Sequence, residues 1–512
     1  MDRRWAALAG VATALVGLGV AELISALLRV RVSPVLAVGE AIIEITPGAL
    51  AERAIDAVGR ADKPLLIAGV LFGVLAMSAL AGVVATRHRT AGLLLLVAQA
   101  GVAALAAISR AESSPYDLLP PLVAGAVAIV VFDLLLRRAP GGFDESARAA
   151  VGGATAAVPD AGRRRFLRTS AGAVGVAVVL GLAGRLTASA RSGVESARRS
   201  LNLRLPAVRV PAGVQVDVAD MSPWLTPSDD FYRIDTALAV PLIHPDDWEL
   251  RIHGMVEREV VLGYDDLVER GLDDTWVTLC CVSNPVGGDL VGNTRWSGVR
   301  IDDLLAEAGV SPDADALLST SEDGWTCGTP LAELTDGRDA LLAVAMNGEP
   351  LPLEHGFPAR MVVPGLYGYV SATKWVTDWE VTRFDRFSAY WTDRGWSARG
   401  PVKTTSRIDV PSQGASLDVG QVAVAGVAFA QHRGIERVEV RVDDGAWEQA
   451  RLADVPSTDT WVQWVHDWDA TPGEHTLAVR ATDADGEVQS GDDVDVVPNG
   501  AEGWHDITVT VG

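Results

Sequence analysis

Cysteine is scarce in this 512-residue chain, which has three cysteines and eight histidines. Two of the cysteines, Cys280 and Cys281, are adjacent, and Cys327 stands alone. With no C-x-x-C pair and no cysteine–histidine cluster at short spacing, we expect neither a structural zinc nor an iron–sulfur cluster. Two readings stay open: the cysteines are small buried hydrophobic residues, or one thiolate binds a metal that another group holds.

Histidine is almost missing from the first 200 residues, where His88 is the sole example. A membrane b-type haem needs two axial histidines, so we expect no such haem in the apolar segments.

Positive charge is scarce after residue 200. Up to Ser200 the chain has 21 basic and 14 acidic residues, whereas 201–512 hold 22 basic and 52 acidic residues. The strongly acidic part argues against nucleic acid or anionic lipid as its partner. The composition thus separates a basic membrane region from an acidic soluble region.

Apolar runs that approach the length needed to cross a bilayer, about 20 residues, are confined to the basic region. Arginines flank them mainly on one side, which predicts a cytoplasmic N-terminus and an extracytoplasmic soluble part. Between the first two runs, residues 39–59 have the pattern of an amphipathic helix on the outer surface. We therefore predict a multi-pass protein of the cell membrane with five spans, at 5–28, 64–86, 91–109, 118–136 and 170–184.

The segment before the fifth run resembles a twin-arginine export signal. Arg163 and Arg164 are followed by Phe166-Leu167 and then by a modestly apolar stretch rich in glycine and alanine. The order Arg-Arg-x-Phe-Leu favours export of a folded domain. The alternative is that these arginines merely anchor a span.

The soluble region has two patterns. Its first part alternates strand-like and short helical segments, with strands at 248–256, 276–282 and 361–364 and helices at 264–271 and 301–308. Its last part has short alternating strands and no cysteine, which predicts a β-sandwich of immunoglobulin type that serves association. The predicted domains are a membrane region at 1–187, a polar linker at 188–228, an α+β catalytic domain at 229–412 and the sandwich at 413–512.

The stretch 276–296 combines a thiol with a flexible loop. It opens as an apolar, β-branched strand that contains both adjacent cysteines and breaks at Ser283. We expect Gly287, Gly288 and Gly292 to let the loop backbone approach a ligand closely.

Four ordered motifs resemble the sulfite oxidase family of molybdenum-cofactor enzymes. The motifs are D-D-F-Y-R at 229–233, T-L-C-C-V-S-N-P at 278–285, N-G-E-P-L-P-L-E-H-G-F-P-A-R at 347–360, and V-V-P-G at 362–365 with A-T-K-W at 372–375. The resemblance covers about 222–512. It implies a molybdopterin-binding fold followed by a dimerisation domain, and hence a homodimer.

The resemblance also implies roles for individual residues. Cys281 would be the protein's ligand to molybdenum, while Arg295 and Trp396 would serve the substrate pocket. The basic residues suit a phosphate, although each alone could be a surface ion pair, or in the case of histidine a core residue. The positions that would hold the pterin and its phosphate are Tyr232, Arg233, Asp323, His355, Arg360, Ala372, Thr373 and Lys374.

The chain departs from the family at two places. Animal and plant sulfite oxidases follow the ligand cysteine with A-G-N-R-R, whereas Cys281 is followed by V-S-N-P-V. Trp396 stands where the family has an active-site tyrosine, five residues after a tryptophan, here Trp391. Arg295, in the loop, is the basic residue that we expect to compensate. Sulfite is thus less strongly implied than the cofactor.

The sequence therefore predicts a membrane-anchored molybdopterin oxidoreductase that transfers an oxygen atom to or from a small sulfur oxyanion or S-oxide. A sulfoxide reductase is the first alternative, and a non-catalytic binding module tethered to the membrane is the second. An external electron donor or acceptor is required, whereas haem, an iron–sulfur cluster, zinc and nucleic acid are not expected.

Overall fold

The structure is a computed structural model that describes residues 2–28, 30, 32–46, 50, 58, 61–110, 114–139, 168, 171–172, 175 and 187–512. The chain divides into two compact units, Met1–Ser192 and Gly193–Gly512. The paired arginines of the export motif and most of the predicted fifth span, 170–184, lie outside the described residues and stay predictions.

The first unit is helical in its described part. Four of its helices, counted with the turn that precedes the last of them, are long and apolar enough to cross a membrane. They match four of the five predicted runs. The predicted amphipathic helix corresponds to a helix that begins earlier, at Pro34, and most residues of 47–60 lie outside the described part. The helices are α1 (Arg3–Leu27), α2 (Pro34–Ile45), α3 (Asp62–Ala85), α4 (Arg89–Ile108) and α5 (Leu119–Arg138).

Small residues bring α1 and α3 into close contact. A side chain at Gly10 would collide with the Ser78 carbonyl group, and one at Gly82 would collide with the carbonyl group of Ala6. Such small residues let helix backbones approach each other closely, which is how apolar helices gain packing energy within a membrane.

The second unit contains a mixed sheet, an antiparallel sheet and short helices in its first part. One sheet has the order β2-β1-β10-β5-β6, and the other has β3-β4-β7-β8 with β9 beside β7. The strands are β1 (Glu249–Gly254), β2 (Val260–Gly263), β3 (Asp273–Cys280), β4 (Val291–Arg300), β5 (Ala316–Ser321), β6 (Thr326–Pro330), β7 (Leu341–Met346), β8 (Glu349–Pro350), β9 (Arg360–Val362) and β10 (Val376–Thr382). Helix α6 (Thr187–Ser200) contains the boundary between the two units, and the helices within the second unit are α7 (Tyr264–Glu269), α8 (Ile301–Ala308) and α9 (Leu331–Thr335).

The last part of the chain forms two further sheets, in the orders β11-β13-β17-β16 and β12-β19-β18-β14-β15. Buried residues from both sheets, including Trp464 and Val479, share one core. A two-layer β region is therefore confirmed, and its immunoglobulin type stays a prediction. Its strands are β11 (Thr405–Val410), β12 (Ser416–Leu417), β13 (Gly420–Phe429), β14 (Ile435–Val442), β15 (Glu448–Gln449), β16 (Arg451–Leu452), β17 (Val462–Ala470), β18 (Gly473–Asp483) and β19 (His505–Val511).

Two sequence expectations need correction. The predicted strand 276–282 ends at Cys280, because the chain turns when Asn284 N–H donates to Cys281 O at 3.1 Å. The predicted linker is not a free tether at its end. Trp224 is fully buried, and its indole N–H donates to Trp461 O at 3.2 Å, so apolar burial fixes this segment to the second unit.

The packing of α1 on α3 can be tested with two alanine substitutions on α3. Gly82→Ala would force the helix backbones apart, which costs about 1–3 kcal/mol as overpacking. Gly73→Ala is the matched control, because a side chain there meets nothing within 4 Å. We expect only Gly82→Ala to lower the thermal aggregation midpoint of the detergent-solubilised full chain. Equal midpoints for the two variants would contradict the packing.

Candidate active site

The adjacent cysteines lie where β3 meets the loop that leads to β4. Cys281 N–H donates to Leu290 O at 2.9 Å, and Leu290 N–H donates to Asn284 Oδ1 at 2.8 Å. Hydrogen bonds thus close the loop across its base. The thiol of Cys281 is held at the start of a closed loop, one residue past the end of the strand.

The two thiols have different surroundings. Cys280 is 2% exposed and donates to Cys281 O at 3.4 Å. Burial raises its pKa, the Cys281 thiol adds to the rise, and Arg407 partly offsets it. Cys281 is 9% exposed; burial raises its pKa too, and hydrogen bonds from Ser283 oppose the rise. Cys281 is therefore the more exposed of two buried residues.

Two tyrosines lie close to the cysteines. Burial raises the pKa of Tyr232, and the Cys281 thiol is the next cause of the rise. Burial also raises the pKa of Tyr367, with Cys280 as the next cause. A side-chain carbon at Gly368 would lie 3.8 Å from both the Tyr232 hydroxyl and Cys280 O. Tyr232, Gly368 and the cysteines therefore share one small region.

The loop glycines contact the protein, which differs from the expected role of approaching a ligand. A side chain at Gly287, whose φ is +74°, would collide with the His505 ring. At Gly292 it would lie 2.7 Å from the Phe231 ring. Arg407 donates to Gly288 O at 2.7 Å. Gly287 thus makes room for His505 of the C-terminal β region, and Gly292, which lies in β4 and not in the loop, makes room for Phe231.

The C-terminal β region also holds strand β3 just before the cysteines. Thr278 N–H donates to Asp459 O at 2.9 Å, and Trp461 N–H donates to the Thr278 hydroxyl oxygen at 2.8 Å. The Gln431 amide donates to Thr278 O. Three residues of the β region therefore hydrogen-bond to Thr278, which precedes Cys281 by three residues. Sequence reasoning missed this contact, because nothing in the sequence indicates which strand edges meet.

Arg360 is a buried cation without a carboxylate partner in the described part of the chain. It is 5% exposed and donates to His355 O at 3.2 Å and Ala372 O at 3.4 Å. Its guanidinium also lies over the Trp296 ring at 4.9 Å. Burial lowers its pKa to about 10. Since burying a charge without a counter-charge is costly, this residue indicates a site for an anion.

Lys374 is a second buried cation near Arg360. Its ammonium group lies 2.8 Å from Asp235 Oδ2 and donates to Glu354 O at 3.2 Å. Burial lowers its pKa to about 8. Arg233 contacts the same Asp235 oxygen at 2.8 Å, with its side chain 39% exposed. Asp235, which sequence reasoning missed, thus orients two of the predicted cofactor-binding residues; its spacing two residues after Arg233 is the available signal.

His355 is neutral in this surrounding. Its Nε2 lies 3.1 Å from Ser228 O, and since a carbonyl oxygen only accepts, Nε2 carries the proton. Burial lowers the pKa of His355 to about 4, and Arg360 and Lys374 add to the shift. At neutral pH it can therefore donate a hydrogen bond but adds no positive charge.

The remaining predicted cofactor-binding residues surround the same cations. Asp323 accepts a hydrogen bond from Ser321, and burial raises its pKa. Ala372 contacts Arg360 through its carbonyl group. Thr373 is fully buried, and its hydroxyl pairs with Ser319 at 2.5 Å. The fold thus brings these residues together, although the hydroxyl of Thr373 is occupied within the protein.

The two predicted substrate-pocket residues are not brought to the cysteines in the same way. β3 and β4 pair Trp276 with Arg295 and Cys280 with Val291. Arg295 is therefore four residues along the strand from the cysteine pair, about 13 Å at the usual rise. Its guanidinium pairs with Asp274 at 2.7 Å, which lies farther still from Cys280 along β3. Pairing register and this ion pair keep Arg295 from compensating as expected.

Trp396 is buried and packs on aromatic rings. Its ring centroid lies 5.8 Å from that of Tyr369 and 6.4 Å from that of Trp391. Trp396 thus lies within an aromatic cluster, one member of which, Tyr369, follows Gly368 by one residue.

The site fits an anionic ligand that brings its own metal ligands. Arg360 and Lys374 supply buried positive charge in the unit that also carries Cys281, and no group of three metal-ligating side chains occurs among the described residues. Comparison with known proteins identifies that ligand. Residues 237–391 match the family described as oxidoreductase molybdopterin binding domain. An uncharacterized oxidoreductase of Bacillus subtilis, YuiH, is 33% identical over 169 residues, which cover 31% of this chain and 82% of that protein. The chain belongs to the molybdopterin-binding oxidoreductase family.

Sulfite oxidases are also similar to this molybdopterin-binding oxidoreductase. Mitochondrial sulfite oxidase of Drosophila melanogaster is 31% identical over 273 residues, which cover 45% of this chain and 47% of the fly enzyme. The chain thus spans about half the length of that relative. Sulfane dehydrogenase SoxCD of Paracoccus pantotrophus has a TM-score of 0.51 at 25% identity, covering 57% of this chain and 84% of that one. The expected sulfite oxidase-like domain is confirmed.

Lys374 predicts how this oxidoreductase retains its cofactor as the pH changes. Between about pH 8 and 10.5 the unfolded chain binds more protons at this lysine than the native chain does. The stability of the cofactor-free protein should therefore rise with pH in this window, while retention of an anionic cofactor should fall as the ammonium is lost. Pterin content after dialysis at a series of pH values measures the retention. Lys374→Met should retain less pterin at every pH and lose this dependence; an unchanged dependence would contradict the assignment.

Proposed function

We propose that the chain is a membrane-anchored oxidoreductase of the sulfite oxidase type that performs two-electron oxygen-atom transfer on a small sulfur compound. The observation that carries this proposal is the buried pair of cations, Arg360 and Lys374, in the same unit as Cys281, with Tyr232 influenced electrostatically by both Arg360 and the Cys281 thiol. Family membership supplies the enzyme class and makes the alternative of a non-catalytic binding module the weaker one. The substrate and the direction of the reaction are part of the proposal.

The cofactor fits the residues present. Cys281 would ligate the molybdenum. Cys280, whose thiol donates to the Cys281 carbonyl oxygen, would not. Arg360 and Lys374 would bind the anionic end of the pterin, with Arg233 positioned by Asp235. Tyr232, His355, Asp323, Ala372 and Thr373 surround these positions. When bound, molybdopterin supplies the two-electron redox change and carries the transferred oxygen atom. The chain's own residues bind and orient it and exclude water around it.

A sulfur substrate is favoured by the relatives, which are named for sulfite and sulfane. Two features favour a neutral S-oxide over sulfite. The residues after Cys281 include no arginine, and Asp274 and the pairing register hold Arg295 away. The sulfoxide reductase reading therefore has specific support as the second candidate function.

Turnover of both substrates tests this function. Sulfite with an artificial acceptor and a neutral sulfoxide with a reduced dye should both be assayed on the purified full chain. We expect the sulfoxide to be handled at least as well as sulfite, because a charge-assisted contact to an anion, worth roughly 1.5–3 kcal/mol, is lacking. Fast, tight sulfite oxidation would contradict this, and would show that other groups hold the anion.

Two cysteine variants and one arginine variant are the controls for that assay. Cys281→Ala should lose molybdenum and all turnover, whereas Cys280→Ala should keep most of both. Arg295→Ala should leave turnover within about twofold, because the contacts of Arg295 are an ion pair with Asp274 and backbone carbonyl groups, none of which belongs to the cysteine segment. If the two cysteine variants behave the other way round, the ligand assignment is wrong.

The topology belongs to the same proposal. Four apolar helices are compatible with a membrane anchor, and the arginine distribution supports a cytoplasmic N-terminus and an extracytoplasmic catalytic domain. The proposal also includes a fifth span at 170–184 and export through the paired arginines. It further includes a homodimer that forms through the C-terminal β region at 413–512. The domains would be the membrane region 1–187, the linker 188–228 and the catalytic domain 229–412.

Reporter fusions check this topology. A reporter after Arg138 should be cytoplasmic, and one after Ser200 should be extracytoplasmic, following the positive-inside rule. Replacing Arg163 and Arg164 by Lys should block export of the catalytic domain while the first four spans still insert. Normal export of that variant would mean that the arginines only anchor a span.

A further inference from the structure

The region beside Cys281 lacks the two polar groups that the sequence suggested for the substrate. Arg295 is paired with Asp274, and Trp396 stands in an aromatic cluster in place of a tyrosine. Oxygen-atom transfer develops charge on the oxygen that moves, so a hydrogen-bond donor there lowers the barrier. Another residue of the chain should therefore supply a donor.

Most nearby hydroxyl and imidazole groups are already occupied. The Tyr369 hydroxyl donates to Ser397 O at 2.8 Å. The Tyr367 hydroxyl accepts from Lys403 N–H at 3.4 Å, and it packs against Gly500. His355 Nε2–H donates to Ser228 O, outside the region of the cysteines. Tyr369 and His355 have therefore given their proton to a carbonyl oxygen, and the Tyr367 hydroxyl is enclosed by Lys403 and Gly500.

The Tyr232 hydroxyl differs from them. It forms no hydrogen bond with any residue that the structure describes. A side-chain carbon at Gly368 would lie 3.8 Å from both this hydroxyl and Cys280 O, so the hydroxyl lies in the region of the cysteines, and the Cys281 thiol contributes to the raised pKa of Tyr232. The absence of a side chain at Gly368 leaves space in front of the phenol, which a substrate oxygen can enter.

The phenol ring is held firmly in this position. Tyr232 stacks on Phe231 with ring centroids 4.9 Å apart, and Phe231 contacts Trp296 and His355 edge to face. A fixed donor costs little reorganisation when charge develops nearby, which is the property that makes such groups effective in catalysis. A tyrosine hydroxyl is also protonated at neutral pH.

We propose that Tyr232 is a catalytic residue whose hydroxyl hydrogen-bonds the substrate's oxygen beside Cys281. This inference rests on the proposed function and adds the donor to it. The hydrogen-bond donor, Tyr232, thus belongs to the segment before β1. It does not belong to the aromatic cluster that contains Trp396.

Tyr232→Phe in the purified full-length holoenzyme is the direct test. It keeps the stacked ring and removes one hydroxyl. We expect molybdenum and pterin contents equal to wild type, with kcat for sulfoxide about tenfold lower and KM little changed. Tyr264→Phe is the matched control, because its hydroxyl is also buried without a hydrogen bond but lies against Trp248 and Phe357. That variant should keep wild-type kcat.

Substitutions at Gly368 provide a second, independent measurement. Gly368→Ala makes ordinary contacts of 3.6–3.8 Å and should be tolerated, whereas Gly368→Val should fill the space before the phenol and lower kcat/KM at least tenfold with cofactor content unchanged. Full turnover in Gly368→Val would place the substrate elsewhere and overturn the inference.

The outcomes separate this inference from the function on which it rests. Wild-type kcat in Tyr232→Phe would overturn the inference and leave the function standing. Loss of pterin in Tyr232→Phe but not in Tyr264→Phe would do the same, since Tyr232 would then be a cofactor ligand. A wild-type enzyme that holds cofactor but turns over neither sulfite nor sulfoxide would overturn the function, and the inference with it.

Discussion

Buried positive charge is the constraint on which this site depends. Arg360 is enclosed by carbonyl groups and an indole ring, and Lys374 shares a single carboxylate, Asp235, with Arg233. Such charges destabilise a fold unless an anion joins them. The buried cations therefore lower the stability of the cofactor-free protein and raise its affinity for an anionic cofactor. The negative charge of that cofactor would offset the buried positive charge.

The second constraint is the attachment of the C-terminal β region to the thiol-bearing segment. We assigned that region to association from its sequence, but it also hydrogen-bonds Thr278 through three residues and packs Arg407 and His505 on the glycine loop. A ligand atom must be held within a fraction of an ångström for a metal site to work. The β region is thus part of the scaffold of the active site, whatever its role between subunits.

Local patterns predicted much of the fold. The helix at 301–308 was predicted with its observed bounds, because its apolar periodicity and the following glycine are local signals. The motif order likewise located Cys281, Arg360 and Lys374. Quantities that depend on pairing could not be predicted: the register that carries Arg295 away from the cysteines, the strand edge that meets Asp459, and the shared carboxylate of Asp235. The glycine loop was predicted as a loop, but the side chains that fill it come from distant parts of the chain.

The most direct test of this account is the metal and pterin content of the wild-type full chain, purified from a host that makes molybdopterin. The account predicts about one molybdenum and one pterin per chain, since Cys281 and the buried cations Arg360 and Lys374 would together form one cofactor site among the described residues. A well-folded protein that contains neither, although the same host loads another molybdopterin enzyme, would contradict the central claim.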